Sequence, residues 1–501
     1  MGIKATLAGW AAKYVHRQTQ RWMNKPVDSQ RAVFKNLMTV LSTTQFGQDH
    51  GVFPGMTHEE YASKVPVRDY EALRSYFDRI ANGEENVCWK GKPIYLAKTS
   101  GTTSGAKYIP ITQDSIGNHI NSARNALLNY IYQTGNASFV EGKLIFLSGS
   151  PVLDKKGGIF TGRLSGISNH HIPAYLRSSQ LPSWETNCIE DWEIKVQKIA
   201  DETIQEDMRL ISGIPPWVQM YFDILHERTE GKRMADIFPN LRLFVYGGVN
   251  FEPYRKKLTD SIGKQIDALE FFPASEGFFA YQDKFPSEGL LLLLNEGIFY
   301  EFIPADEYFN EKPSRLNIEQ VQIGVNYALI INSNAGLWGY SIGDTVRFVS
   351  LNPYRVVVSG RIKHFISAFG EHVIGEEVEY ALLSVAKEHG IGVTEFTVAP
   401  QVNPPSGGLP FHEWFIEFSN PPADLTSFSM EVDKALQKKN IYYFDLIEGN
   451  VLRPLVITPL KQGAFIEYMK SQGKLGGQNK VPRLSNDRKI ADEIGHFTNQ
   501  L

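Results

Sequence analysis

Apolar residues recur at helical spacing through residues 1–90, as in "SQRAVFKNLMTVLSTT", so this stretch is expected to be mostly helices with polar connections. Between residues 94 and 360 the period changes. Short apolar runs alternate with amphipathic stretches: "KLIFLSG", "MRLISGIP", "LRLFVYGG", "IDALEFFPASEG", "YALIINS", "VRFVS" and "RVVVSGR". Many end in Gly, Ser or Pro, as strands do when the loops at their ends carry function. "GLLLLLNEGIFYEFI", from Gly289, is broken by Asn295, Glu296 and Gly297 and reads as two strands with a turn. After residue 361 the order becomes helix, strand, strand, helix, strand, helix, with "NPPSGG" as an internal loop. The expected fold is α/β: a large N-terminal domain of packed β-sheets and helices over 1–362, and a smaller α+β C-terminal domain over 363–501.

Composition narrows the class. The chain has 501 residues, 42% of them hydrophobic, which suits a globular protein of about two to four domains. A net charge of -4 gives no global field toward nucleic acid. Cys88 and Cys188 are far apart, and neither has a Cys or His at metal-ligand spacing, which fits a reducing, cytoplasmic setting. No apolar run reaches the roughly 20 residues of a membrane span. The N-terminus is less plain. "MGIKAT" matches a myristoylation pattern at Gly2. Ile3, Leu7, Trp10, Tyr14 and Trp22 lie mainly along one helical stripe, and Lys4, Lys13, Arg17, Arg21 and Lys25 precede the first acid, Asp28. A membrane-surface helix is one reading. A helix docked on the protein body is the favoured one, with no firm membrane association.

The stretch "YLAKTSGTTSGAKYIPIT", Tyr95 to Thr112, carries the first candidate chemistry. A Walker loop needs four residues between its glycines, then Lys and Ser/Thr, then a helix. Here Gly101 and Gly105 are closer, Ala106 precedes Lys107, and Pro110 in "YIPIT" opposes a helix. The stretch is therefore a loop between two strands. It can still hold phosphate. Glycines let backbone N–H groups turn inward, Ser100, Thr102 and Thr103 supply hydroxyls, and Lys107 supplies charge.

This loop resembles the phosphate-binding signature of the adenylate-forming superfamily, which includes acyl-CoA ligases, luciferases and the auxin-responsive acyl-acid amido synthetases. Further segments follow in the superfamily's order. "VYGGVNFEP" resembles the adenine-packing turn at Gly247–Gly248, and "FFPASEGFF" resembles the amido synthetases' "ASE" segment, Ala274, Ser275 and Glu276. "YSIGDTVRF" presents Asp344, and "SGRIKHFISAFGEHVIGEEVE" resembles the inter-domain segment with Arg361 and a hinge at Lys363. "GGQNKVPRL" resembles the C-terminal lysine motif at Lys480. The amido synthetases fit best, although the hinge segment is closer to the superfamily at large.

The resemblance implies ATP and Mg²⁺ as cofactors. Thr99, Ser100, Gly101, Thr102, Thr103, Gly247, Gly248, Ala274, Ser275, Asp344 and Arg361 would bind nucleotide. Glu276 would hold Mg²⁺, with Lys107, Glu276 and Lys480 catalytic, and a mobile C-terminal domain would turn about Lys363. The implied reaction activates a carboxylic acid as its adenylate and passes the acyl group to an amine, in the family an amino acid. Coenzyme A as acceptor is the alternative, and a nucleotide-binding protein without turnover a third. No nucleic acid partner is expected. His170–His171 lack a third ligand nearby and are expected to be structural or to line a pocket. Trp217 in "ISGIPPW" reads equally as the border of an acyl pocket and as a Pro-stiffened turn. No G-x-S-x-G elbow occurs.

Overall fold

The computed structural model describes residues 2–99, 107–248, 251–362, 365–366, 371, 373–405, 407–448, 451–475, 481–485 and 487–498. The chain forms two compact units. One holds residues 1–250, 257–342 and 346–357, the other residues 251–256, 343–345 and 358–501.

The first unit opens with helices, as the period predicts: Ile3–Met23, Pro26–Leu41, Gln45–Asp49, His58–Lys64 and Tyr70–Ala81. Their starts are written locally. Pro26 sits in the first turn of its helix, where its missing N–H costs nothing. Thr57 and Glu60 form a capping box, and the Asp69 carboxylate accepts from Ala72 N at 3.1 Å to start Tyr70–Ala81.

The strands that follow are β1 (Tyr95–Thr99), β2 (Lys107–Ile111), β3 (Lys143–Phe146), β4 (Asp154–Lys156) and β5 (Ile159–Gly162). Next come β6 (Gln180–Leu181), β7 (Met208–Ser212), β8 (Leu243–Gly247), β9 (Asp267–Ala274) and β10 (Gly277–Gln282). The last are β11 (Leu290–Leu292), β12 (Ile298–Pro304), β13 (Asn326–Ser333), β14 (Leu337–Leu351) and β15 (Tyr354–Arg361). A small sheet runs β2-β1-β5-β4. A large one runs β12-β13-β14-β15-β11-β10-β9-β8-β7-β3-β6. Its β6-β3-β7-β8-β9 half is parallel, whereas β9-β10-β11-β15 is antiparallel. The α/β expectation holds, and the parallel half brings the C-terminal ends of β3, β7, β8 and β9 to one edge.

Two polar side chains pin helices to this sheet. Gln30 donates to Leu294 O and Ile298 O at 2.8 and 2.9 Å and accepts from Tyr300 N at 3.0 Å. Asn118, on helix Ile116–Thr134, bonds both N and O of Phe278. Each is buried and satisfies backbone that would otherwise be orphaned.

The strands of "GLLLLLNEGIFYEFI" exist as β11 and β12, as the pattern predicts, and they pair with different neighbours. β11 pairs with β10 and β15, and β12 with β13; nearly every residue of both strands is buried, so neither shows alternation. In "ISGIPPW" β7 ends at Ser212, Gly213 and Ile214 connect, and helix Pro215–Arg228 starts at the prolines; Trp217 is buried edge-on against Trp192, ring centroids 4.3 Å apart. The N-terminal helix does dock on the body, by its small residues Ala5, Ala12 and Thr19 and, at its C-terminal end, Trp22, while Ile3, Leu7, Trp10 and Tyr14 stay exposed.

The second unit has strands β16 (Phe365–Ile366), β17 (Val373–Ile374), β18 (Gly392–Gln401), β19 (Phe411–Asn420) and β20 (Val456–Leu460). The last three form one sheet, with β18–β19 antiparallel and β19–β20 parallel. Helices Gly375–Glu388 and Leu425–Lys439 cover a core that includes Trp414, Ile416, Val432 and Leu436. Val481–Ser485 is fastened beside β18: Val398 N donates to Arg483 O at 2.9 Å and Thr397 Oγ1 to Pro482 O at 2.7 Å. The Arg483 guanidinium pairs with Glu379 at 3.1 Å and with Glu395.

Candidate active site

β1 and β2 are antiparallel, with Thr99 opposite Lys107 as the terminal pair of the ladder. The loop of the Tyr95–Thr112 stretch is thus a hairpin connection, not a P-loop. Ser100, Gly101, Thr102 and Thr103 lie outside the described residues. Lys107 is half-buried, and its Nζ stands 5.6 Å from the centre of the Tyr70 ring, within cation–π range. The Tyr70 hydroxyl accepts from Tyr108 N at 3.0 Å, which fixes the base of the hairpin to the helix that Asp69 caps.

β8 ends at Gly247, beside β9. A Cβ on Gly247 would stand 2.6 Å from Phe271 O, so only glycine permits this close pairing. Gly248 follows with φ +78° and is exposed, turning the backbone off the sheet edge. β9 ends at Ala274, which pairs with Gly277. Ser275 and Glu276 are the two-residue turn between them, half-buried at the edge where the parallel strands finish.

Glu276 is held by a residue that the motifs do not reveal. Tyr340, on β14, donates its hydroxyl to Glu276 Oε1 at 3.1 Å. Tyr340 is 1% exposed, and burial, with the Glu276 charge second, keeps its phenol protonated far above the usual range. Its ring meets Phe77 edge-on at 6.3 Å, and Phe77 stacks on Tyr70 at 5.0 Å. Backbone bonds between Arg68 and β14 lock this arrangement, Arg68 N to Gly339 O and Ser341 N to Arg68 O, each 2.9 Å. Lys107, Tyr70, Phe77, Tyr340 and Glu276 are therefore one connected assembly in the first unit. Its only sequence signal is that Tyr340 opens the "YSIGDTVRF" segment; nothing around Tyr70 marks it.

A second addition lies at the end of β3. The Lys195 ammonium is buried and donates to Ser148 O at 2.9 Å and Asn187 O at 2.7 Å. Burial pulls its pKa down to about 8. It holds the loop after β3 in place on the edge that carries Gly248 and Glu276. His170 and His171 are structural here: His170 Nε2 lies 2.8 Å from Pro151 O and His171 Nε2 3.1 Å from Tyr95 Oη.

The other two described site residues belong to the second unit. Gly343, with φ +83°, accepts from Ile362 N through its carbonyl at 2.7 Å, and Asp344 follows. Arg361 Nε donates to Asp344 Oδ1 at 2.7 Å. The pair is open, Arg361 being 51% and Asp344 17% exposed. Lys363 and Lys480 lie outside the described residues. Arg483, three positions beyond Lys480, is the anchored residue of that motif.

Glu276 suits a hard cation. It is a half-buried carboxylate at the mouth of a sheet, and Mg²⁺ takes one or two carboxylates and completes its shell with phosphate and water. Among the described residues no group of three or more His, Cys, Asp or Glu could enclose a metal by itself. The donor set fits an ion shared with a nucleotide.

Three domain models of one family match the chain in order: the GH3 family N-terminal domain over residues 15–189, the central domain over 291–361 and the C-terminal domain over 376–489. The chain is 23% identical to indole-3-acetic acid-amido synthetase GH3.3 of Arabidopsis thaliana over 92% of its own length and 90% of that protein's. It is 22% identical to jasmonoyl--L-amino acid synthetase GH3.5 of Oryza sativa subsp. japonica, over 91% and 92%. In structure it matches GH3.15 acyl acid amido synthetase with a TM-score of 0.79 at 15% identity, covering 96% of each chain. A 2-hydroxyisobutyryl-CoA ligase in the postadenylation state gives 0.56 at 13% identity, covering 94% of this chain and 90% of that one. The fold is therefore that of the adenylate-forming enzymes. With three of its domain models in register along most of the sequence, the chain belongs to the GH3 family.

Proposed function

We propose that this protein is an ATP-dependent acyl-acid amido synthetase. It would activate a carboxylic acid as an acyl-adenylate, releasing pyrophosphate, and transfer the acyl group to an amino acid, releasing AMP. The observation that carries the reading is the Lys107–Tyr70–Phe77–Tyr340–Glu276 assembly at the C-terminal edge of the parallel strands, in a chain of this family.

A carboxylate oxygen is a poor leaving group, and attack on the α-phosphorus of ATP replaces it with AMP. The protein's work is to align the reactants and stabilise charge on the phosphates. Lys107 would meet that charge beside the hairpin loop of Thr99, Ser100, Gly101, Thr102 and Thr103. Gly247 and Gly248 give the adenine a flat backbone, and Ala274 and Ser275 adjoin it. Asp344 and Arg361 would take the ribose hydroxyls and a phosphate oxygen. Mg²⁺, when bound at Glu276, supplies charge neutralisation to the phosphates. Tyr340 orients that carboxylate. We place the domain boundary at 362/363, with Lys363 as the hinge that lets Lys480 approach for adenylation and withdraw for transfer.

Pyrophosphate release with a panel of carboxylic acids, with ATP and Mg²⁺, tests the first step. Product formation that needs an amino acid supports the proposal, whereas formation that needs coenzyme A would make the protein an acyl-CoA ligase. Lys480→Ala should slow adenylation by roughly 10²–10³ while sparing the reaction of a ready-made acyl-adenylate. Equal loss in the two half-reactions would remove Lys480 from the adenylation step.

A further inference from the structure

The helix Ile3–Met23 turns its small residues inward and its large ones outward. Ala5, Ala12 and Thr19 are buried, in a core shared with Tyr130, Ile131 and Phe139. Ile3, Leu7, Trp10 and Tyr14 are 82, 55, 66 and 64% exposed. They are spaced three or four residues apart, so they form one continuous stripe along the helix. At about 100° per residue this stripe lies diametrically opposite the buried one. Single exposed apolar residues are ordinary, but a contiguous row that includes Trp and Tyr marks a contact surface.

The charges beside it narrow the partner. Lys13 and Arg17 flank the stripe on one side and Lys4 on the other, while Arg21 continues its line. The helix contains no acidic residue. Among the described residues no carboxylate pairs with Lys13, Arg17 or Arg21. Lys4 Nζ is 3.4 Å from Ser179 Oγ, and Arg21 donates to Gln18 at 3.1 Å.

We propose that this face is a reversible docking surface for an anionic lipid bilayer. The helix would lie flat, with Ile3, Leu7, Trp10 and Tyr14 entering the headgroup–acyl boundary and the cations meeting lipid phosphates. Trp and Tyr suit this depth, each having an apolar body and one polar tip. A second copy of the chain is the weaker occupant. Stripe-to-stripe packing would bring two sets of Lys13, Arg17 and Arg21 together with no acid to separate them. The helix keeps its docking to the body, because the buried Ala face is not needed for the lipid contact.

Co-sedimentation with vesicles tests this, comparing phosphatidylcholine alone with phosphatidylcholine holding about one-third phosphatidylglycerol. The protein should pellet with the anionic vesicles only, and less so as salt is raised. Emission should shift to the blue on binding, and the shift should be missing in Trp10→Phe. Leu7→Ser/Trp10→Ser/Tyr14→Ser should lower the bound fraction about tenfold or more. Lys13→Glu/Arg17→Glu should do the same through charge alone. Both sets change solvent-facing positions, so the thermal transition should hold; if the triple variant is unstable, the charge variant and the Trp10 signal decide. Absence of wild-type binding, or equal binding by the charge variant, overturns the proposal. So does a dimer in sedimentation equilibrium that the triple variant abolishes, which would give the stripe to a second copy.

Discussion

Strand β15 carries two arginine–aspartate pairs with different fates. Near its start, in the first unit, Arg355 gives Nε and Nη2 to the two oxygens of Asp283 at 2.7 and 2.8 Å. Both side chains are nearly sealed, at 6 and 7% exposure. At its end, in the second unit, Arg361 gives Nε to Asp344 Oδ1, with about half of the arginine side chain in solvent. The partners are chemically the same. In the closed pair both carboxylate oxygens are occupied, and the Asp283 bonds hold Arg355 firmly in its charged form. In the open pair Asp344 Oδ2 receives no bond among the described residues, and a carboxylate can accept more than one. A closed pair can only support the fold, whereas an open one can take a ligand at little structural cost.

The largest effect should come from breaking the closed pair. Arg355→Ala leaves Asp283 buried and uncompensated, which typically costs roughly 3–5 kcal/mol. Urea unfolding should show it. A loss near that of a surface pair, under about 1 kcal/mol, would mean that water reaches Asp283. Adding Asp283→Asn should restore part of the stability by removing the orphaned charge.

Asp344→Ala should act the other way round. ATP affinity should fall by an amount set by one charged hydrogen-bonding group, roughly 1.5–3 kcal/mol. The urea midpoint should scarcely move, since the pair it forms with Arg361 is open to solvent. Calorimetry on the folded variant reads this directly, and unchanged ATP affinity would dissociate Asp344 from the ribose.

The contrast between these pairs also shows what a one-dimensional pattern carries. Asp344 and Arg361 stand out in the sequence because each follows a glycine in a segment of distinctive order. The β1–β2 hairpin was legible too, since Pro110 and the glycine spacing exclude a helix after the loop. The closed pair was not, because Asp283 and Arg355 meet only through β10, β11 and β15 being neighbours in the sheet. Tyr340 and Tyr70 were hidden for the same reason: their contacts join segments near residues 70, 276 and 340, which local periodicity cannot relate. The N-terminal helix gives the converse case. Its stripe was legible, but close approach to a neighbouring helix favours Ala over Trp, so the small face took the body and left Ile3, Leu7, Trp10 and Tyr14 outside.

The smallest predicted effect is the sharpest test of the open pair. In a double-mutant cycle of Asp344→Ala and Arg361→Ala, the coupling in folding stability should be only about 0.2–1 kcal/mol, because water screens a half-exposed guanidinium. The two residues should nonetheless couple in ATP binding. Removing Arg361 frees Oδ1 of Asp344 and lets the carboxylate turn, so the proposed ribose contact would lose its fixed orientation. The double variant should then bind ATP with less loss than the two single losses added, since a misdirected carboxylate has little left to lose. Proximity makes such non-additivity the expectation for a shared ligand. Strict additivity in ATP affinity would mean that the two residues serve the nucleotide separately, and a large coupling in stability would mean that this pair is closed after all.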